Sequence, residues 1–188
     1  YGTSEDGSYL SFANCFFVNK ENLAVMKSKL DSVVNYVKTT TASYSRFEKE
    51  VFIHDYICNV AKYTTTGNDL IFTAYGALVN GEAVCEGYSK AMQLLCDNVG
   101  IPCALIYGNS NGQAHMWNVV DPGDGWYNID VTWDDDSTNN CVRYAYFNLS
   151  DQQIAAKHTI APTLNNSSHY TASTIFNIKK YNCNSASY

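Results

Sequence analysis

The sequence predicts an α+β fold in which an N-terminal helical layer packs on an antiparallel β-sheet. Apolar residues recur at three-and-four spacing as far as Val99, and Gly100 with Pro102 then supplies a stop. Beyond Pro102 the chain breaks into short β-branched and aromatic runs separated by Gly, Asn and Pro-Gly turns. With 188 residues, 46% hydrophobic and 14% aromatic, residues 1–188 can form a packed core as a single domain without disulfide staples. Three prolines and no internal repeat mark no domain boundary.

The elements follow in chain order. Leu23, Met26, Leu30, Val33, Val34 and Val37 form one face of a helix from about Lys20 to Lys38, closed by the β-branched run Thr39, Thr40 and Thr41. Ser45 with Glu48 makes a capping box, and Phe47, Val51, Phe52, Tyr56, Ile57 and Val60 carry a second helix to about Ala61. Lys62 to Asp69 reads as a loop and Thr73 to Val79 as a short helical turn before Asn80 and Gly81. In "GEAVCEGYSKAM", Cys85 opens a third helix whose face is Tyr88, Met92, Leu95, Cys96 and Val99. Strands are expected at Cys103 to Tyr107, His115 to Val120, Trp126 to Thr132, Tyr144 to Leu149 and Thr174 to Ile178, with a short helix over Ser150 to Lys157.

Composition excludes several partner classes. Eighteen acidic against 12 basic residues give a net charge of −6 with the Lys and Arg scattered singly, which disfavours nucleic acid and anionic membranes. No apolar run approaches the roughly 20 residues needed to span a bilayer. The chain opens at Tyr1 without a start Met or a signal peptide, and so reads as a monomeric module excised from a larger exported protein. A surface poor in charge and rich in Tyr, Asn, Ser and Thr fits an extracellular or cell-surface location. The seven cysteines contain no CxxC pair, which argues against a zinc knuckle, and Cys58, Cys96 and Cys103 fall on apolar faces, as reduced buried thiols do.

The candidate site starts from Cys85. A helix N-terminus favours a thiolate, because unpaired backbone N–H groups and the helix dipole stabilise negative charge. Full activation requires a base and a group that orients it. If the turn at Asp121, Pro122, Gly123 and Asp124 sets Val120 against Gly125, His115 lies opposite Asp130 with both side chains on one face. A one-residue slip would separate them. Alone, Cys85 is readable as a buried inert thiol, His115 as a satisfied edge residue and Asp130 as a cap before Trp133. A helix-start Cys coinciding with a same-face His and Asp is the stronger observation.

The segments "AVCEGYSKAMQLLCDNVGIPC", "GQAHMWNVV" and "GWYNIDVTWDDD" resemble, in order and separation, the three signature blocks of the transglutaminase-like superfamily. The flanking "FEKEVFIHDYICNVAKY", "TAYGALVNGEAVC" and "YFNLSDQQIAAKH" extend the resemblance over roughly Arg46 to His158, a core of about 46–158. It implies a papain-like fold, with Cys85 as nucleophile, His115 as general base and Asp130 as orienting acid, and thiol-dependent acyl transfer on a protein or peptide amide, as in transglutaminases, cysteine peptidases or peptide N-glycanases. No cofactor is implied. For an upstream oxyanion donor of the papain kind, Tyr75 and Asn80 both lie upstream of Cys85; Tyr75 is the candidate, set against the blander reading of a core tyrosine. A non-catalytic binding or scaffolding module of the same fold is the alternative, with Tyr1 to Asn19 covering the cleft.

The remaining candidates are weaker. Trp117 and Trp126 share the predicted face with the triad and are candidates to line its cleft. His54, His158 and His169 lack carboxylate or Cys partners at metal spacing, so no metal site is expected. Asp134, Asp135 and Asp136 read as a solvated turn rather than a calcium loop.

Overall fold

The structure, a computed structural model, describes residues 2–3, 10–11, 20–136, 139, 141–160 and 183. Two short strands, β1 (Gly2–Thr3) and β2 (Leu10–Ser11), pair antiparallel. Helix α1 (Lys20–Thr40) follows, then α2 (Arg46–Val60), β3 (Lys62–Tyr63), a 3₁₀ turn (Asp69–Phe72), a π turn (Gly76–Asn80), β4 (Glu82–Ala83) and α3 (Cys85–Val99). The second half comprises β5 (Cys103–Ser110), β6 (Gln113–Val120), β7 (Tyr127–Ile129), α4 (Val131–Asp134), β8 (Asp135–Asp136), β9 (Cys141–Val142), α5 (Asp151–Ile154) and β10 (His158–Ile160).

The predicted helix ends are physically realised. The Ser45 N–H donates to Glu48 Oε2 at 2.7 Å while Glu48 N–H donates to Ser45 Oγ at 3.2 Å, so both halves of the capping box start α2. Gly100, at φ 82°, takes the left-handed conformation that ends α3, and Gly81, at φ 74°, turns the chain into β4. Upstream, a Cβ on Gly76 would lie 2.1 Å from the Leu70 carbonyl oxygen, so the 3₁₀ and π turns nest only because that residue is glycine.

Helix α3 is the centre of the molecule. Tyr88, Ala91, Met92, Leu95 and Cys96 are buried on its inner face, in one apolar cluster with Val37 of α1, Ile53 and Ile57 of α2, and Val120 and Ile129 of the sheet. Leu23, at the start of α1's predicted apolar stripe, stays exposed instead. Four antiparallel strands in the order β10-β5-β6-β7 form the sheet. Three side-chain hydrogen bonds lock helix to sheet among the described residues: Ser89 Oγ donates to the Met116 carbonyl at 2.9 Å, Asn118 Nδ2 donates to the Ser89 carbonyl at 3.0 Å, and Gln93 Nε2 donates to the Cys103 carbonyl at 3.3 Å. The helical layer on an antiparallel sheet is the α+β, papain-like arrangement expected from the sequence.

Several elements differ from expectation. The run Trp126 to Thr132 contributes only Tyr127–Ile129 as strand, because Asp130 caps α4 and turns the chain away. Tyr144 to Leu149 is not a strand. Asn148 has φ 52°, and only Leu149 bridges to Asn128. Lys62–Tyr63, read as loop, pairs in parallel with Glu82–Ala83. The edge strand β10 was not anticipated, and the strand expected at Thr174 to Ile178 lies outside the described residues. The described cysteines 58, 85, 96, 103, 141 and 183 are free thiols.

Candidate active site

Three elements converge on the N-terminal end of α3. Cys85 is its first residue, partly exposed, after the extended Val84, which offers no side-chain cap. His115 is on β6, buried apart from a small face, and Asp130 follows β7, fully buried. His115 Nε2 lies 2.7 Å from Asp130 Oδ2, which leaves Nδ1 as the ring atom available to Cys85. Cys85 and His115 line one cavity of about 320 Å³.

The register that joins His115 to Asp130 is not the one expected. Val120 pairs with Tyr127 rather than Gly125, because the connecting loop is longer: Asp121 Oδ1 accepts from the N–H groups of Gly123, at 2.8 Å, and Gly125, at 3.3 Å. The shift is by an even number of residues, so the side chains keep their face. His115 and Asp130 are therefore diagonal neighbours, and the long imidazole closes the gap.

Asp130 makes two contacts at once. Its Oδ1 accepts from the Trp133 N–H at 3.3 Å, capping α4, while Oδ2 faces the imidazole. Burial works to raise its pKa, but the hydrogen bonds and charge of His115 and His158 outweigh this and hold the carboxyl below its ordinary value. For His115, burial pulls the value down, yet the hydrogen bonds with Asp130 and Cys85 dominate and lift it to about 9. The pair is thus arranged to carry a proton on the imidazole beside an ionised carboxylate.

His158 is the residue that sequence reasoning missed. Its Nε2 lies 2.8 Å from the same Asp130 Oδ2, so the expectation that it lacks a carboxylate partner is incorrect. The partner is 28 residues away in sequence, beyond any local spacing rule. The available signal was a histidine heading the β-branched run "HTI". His115, Asp130 and His158 present ligand atoms within 4.8 Å of one another, a set compatible with zinc by donor type. Both ring nitrogens nevertheless aim at a single oxygen, so a metal there would have to displace two short hydrogen bonds. His54 also has carboxylate partners: Asp55 at 2.9 Å and Asp134 at 3.3 Å, the latter in contact but not aligned as a hydrogen bond.

The cleft has two sides. Beside Cys85 the 320 Å³ cavity is walled by Tyr63, Phe72, Val84, Glu86, Tyr107 and Met116. Beyond His115 a cavity of about 280 Å³ is lined by Tyr63, Ser110, Asn111, Gln113, Thr132 and Trp133. Trp117, expected to line the cleft, is instead fully buried and stacks on the His115 ring at 6.1 Å. Trp126 packs with Ile106 and Val119 on that side of the sheet. The tryptophan at the cleft wall is Trp133. Tyr75 opens the π turn and lines neither cavity, whereas the Tyr63 hydroxyl lies within electrostatic reach of Cys85. The three aspartates after Trp133 do not share a solvated turn: Asp134 is buried, Asp135 accepts from the Tyr88 hydroxyl at 2.5 Å, and Asp136 pairs with Arg143.

Comparison with known proteins adds the lineage. Residues 31–131 match the family model described as the transglutaminase-like superfamily, a span that includes Cys85, His115 and Asp130 and stops short of His158. Among solved structures, a TGase is 20% identical over 61% of this chain and 33% of its own, with a TM-score of 0.49. A protein described as "Putative Cysteine Protease from Cytophaga hutchinsonii" is 18% identical over 77% of this chain and 52% of its own, at 0.47. The periplasmic domain of TgpA from Pseudomonas aeruginosa, bound to ethylmercury, is 18% identical over 58% and 45%, at 0.43. This chain therefore spans little more than half, at most, of these proteins. No curated protein matches the sequence.

Proposed function

Because the chain belongs to the transglutaminase-like superfamily, we propose that it is a thiol-dependent acyltransferase or amidase acting on a protein or peptide, with Cys85 as nucleophile, His115 as acid and base, and Asp130 as the orienting carboxylate. The observation that carries this reading is the 2.7 Å contact of His115 Nε2 with buried Asp130, in an imidazole that shares a cavity with Cys85. In the first half-reaction Cys85 Sγ bonds to the amide carbonyl carbon, the C–N bond breaks, and His115 gives its proton to the departing nitrogen. In the second, an amine or water attacks the thioester, His115 takes its proton, and Cys85 leaves as thiolate. The Cys85 backbone N–H, at a helix start, is the natural oxyanion donor.

The wall chemistry supports a peptide chain as substrate. The Cys85 side is aromatic and apolar, with Glu86 its one carboxylate and that held by Lys90 at 2.5 Å. The His115 side is uncharged and polar, suited to the departing or incoming amine. Action outside the cell belongs to the same proposal and rests on the sparsely charged composition, 16% Asp, Glu, Lys and Arg. No helix among the described residues is long and apolar enough to cross a membrane.

Iodoacetamide labelling with peptide mapping tests the nucleophile. Cys85 should react in mildly acidic solution far faster than the buried Cys58, whose thiol burial pushes upward. Amine-incorporation and peptide-hydrolysis assays then separate crosslinking from proteolysis. Uniform labelling, together with silence in both assays, would instead favour a non-catalytic binding module.

A further inference from the structure

The Asp130 carboxylate is shared. Its Oδ2 meets His115 Nε2 at 2.7 Å and His158 Nε2 at 2.8 Å, and His158 is the more deeply buried of the two imidazoles. The ring of His158 is enclosed by Trp133 at 4.8 Å, Trp117 at 5.0 Å, His115 at 5.3 Å and Tyr146 at 5.6 Å between centroids. Its Nδ1 has no hydrogen-bond partner among the described residues. A carboxylate only accepts, so His158 must donate through Nε2, and the ring is held as the Nε2–H tautomer with a bare Nδ1. A second ring proton would be buried without an acceptor.

We propose that His158 is a positioning residue for the catalytic pair: its Nε2–H fixes the Asp130 carboxylate and limits how tightly that carboxylate holds the His115 proton. This rests on the acyl-transfer reading above. Asp130 needs such a brace. It sits at the head of a four-residue helix, and among the described residues its other oxygen has only the long bond from Trp133 N–H. Without His158, Oδ2 keeps the His115 donor alone among the described residues, and its position is set by one strong bond instead of two.

The electrostatic consequence has a definite sign. A hydrogen bond donated to a carboxylate stabilises its charge, so two donors on Oδ2 leave less of that charge to hold the His115 proton than one would. Removing the His158 donor makes Asp130 more basic and raises the pH at which His115 deprotonates. The other ionisable groups facing this cluster are Cys85 from α3, Asp134 from the far end of α4 and the Tyr146 hydroxyl; their side chains are unchanged by a substitution at His158. His115 already lies at about 9, so the shift is upward from there.

The fold delivers His158 by a close approach. Strand β10 pairs antiparallel with β5, His158 opposite Ser110 and Ile160 opposite Gly108. A Cβ on Gly108 would stand 2.2 Å from the Thr159 carbonyl oxygen and 2.8 Å from the Trp117 ring, so glycine is required for the edge strand to seat over Trp117.

The experiment compares the parent with His158→Phe, which keeps an aromatic ring and removes the donor, and His158→Gln, whose amide nitrogen can stand near Nε2. The pH dependence of Cys85 alkylation by iodoacetamide is followed in each, with ring-¹⁵N NMR on the parent. In His158→Phe the step at which His115 loses its proton should move to higher pH and turnover should fall about 10- to 100-fold. His158→Gln should restore both toward the parent. In the parent spectrum, His158 should read as the Nε2–H tautomer while His115 titrates. An unmoved step in His158→Phe, equal shifts in both variants, or a parent His158 found doubly protonated or as the Nδ1–H tautomer would overturn the proposal. Failure of the acyl-transfer reading looks different: Cys85 would alkylate as an ordinary thiol in a single step, while the NMR signature of the shared carboxylate stood. If His158→Phe does not fold, the parent spectrum and His158→Gln still decide.

Discussion

The Cys85 side chain touches the fold lightly, since it is partly exposed at a helix start where serine is well tolerated. Cys85→Ser should therefore change stability by less than about 1 kcal/mol and abolish acyl transfer by orders of magnitude, which thermal melts and an amine-incorporation assay read separately. A variant that melts far below the parent would make Cys85 structural. Asp130→Asn is a different case, because both of its oxygens are acceptors. An amide oxygen kept toward the two imidazoles would turn the amide nitrogen onto the Trp133 N–H, donor against donor. The expected result is a loss of about 1 to 2 kcal/mol from the cap and a turnover lower by about 10⁴, as in other misoriented triads. Cys85, His115 and Asp130 are candidates from sequence because each lies in a motif whose spacing can be read locally, and the structure puts His115 against Asp130 and in one cavity with Cys85. His158 is not, because its partner is reached across strands and through β10, whose pairing no periodicity announces. Trp117 was assigned the correct face but the wrong depth: alternation specifies a side of the sheet, whereas the strand beyond it decides which residues on that side see solvent.

Buried ionisable groups, and not apolar contact alone, join α2 to α4 and to the segment that follows it. Glu50 of α2 is fully buried and accepts from Asn148 Nδ2 at 3.2 Å, while His54, one turn on, lies between Asp55 and Asp134. Burial, only partly offset by Asn148 and His54, lifts the Glu50 carboxyl to about 8 from 4.5. In the unfolded chain it ionises near its ordinary value, so between those values the native state binds more protons. Its stabilising contribution is fully present below about 4.5 and is lost as pH rises through 8. Glu50→Gln keeps an oxygen for Asn148 and removes the titration. The variant should gain on the parent, by roughly 1 to 3 kcal/mol at pH 8 and little at pH 5, in paired denaturant titrations. His54, also raised, titrates in both proteins, and only its coupling to Glu50 enters the difference. This junction explains why Tyr144 to Leu149 misled the sequence reading. Its aromatics suit a strand, but Phe147 and Tyr144 pack on the His54 ring at 5.0 and 5.2 Å, and the Tyr146 N–H goes to Asp134 Oδ1. Hydrogen bonds that a strand would give to a neighbour are given to α4.

At the scale of the whole molecule, the site exists because α3 is pinned between two layers with its first residue at the cleft and its middle in the core. Cys85 and His115 come from different layers, so their separation depends on how α3 seats on β6, through Ser89 and Asn118 near the site and through Leu95 and Met92 further along. These contributions separate by distance along the helix. Leu95→Ala removes a fully buried side chain ten residues beyond Cys85, where the cost is lost transfer energy plus an unfilled cavity, about 2 to 5 kcal/mol. The Ser89 and Asn118 bonds, nearer the site, remain. Below its lowered melting temperature Leu95→Ala should therefore alkylate Cys85 with the parent's pH dependence, and its activity should fall only as the folded fraction falls. Melts and alkylation profiles measured on the same samples check this. A Leu95→Ala protein that stays folded but loses the His115 step from its profile would show instead that core packing sets the cysteine–histidine distance continuously, with the hydrogen bonds between α3 and β6 too weak to hold it.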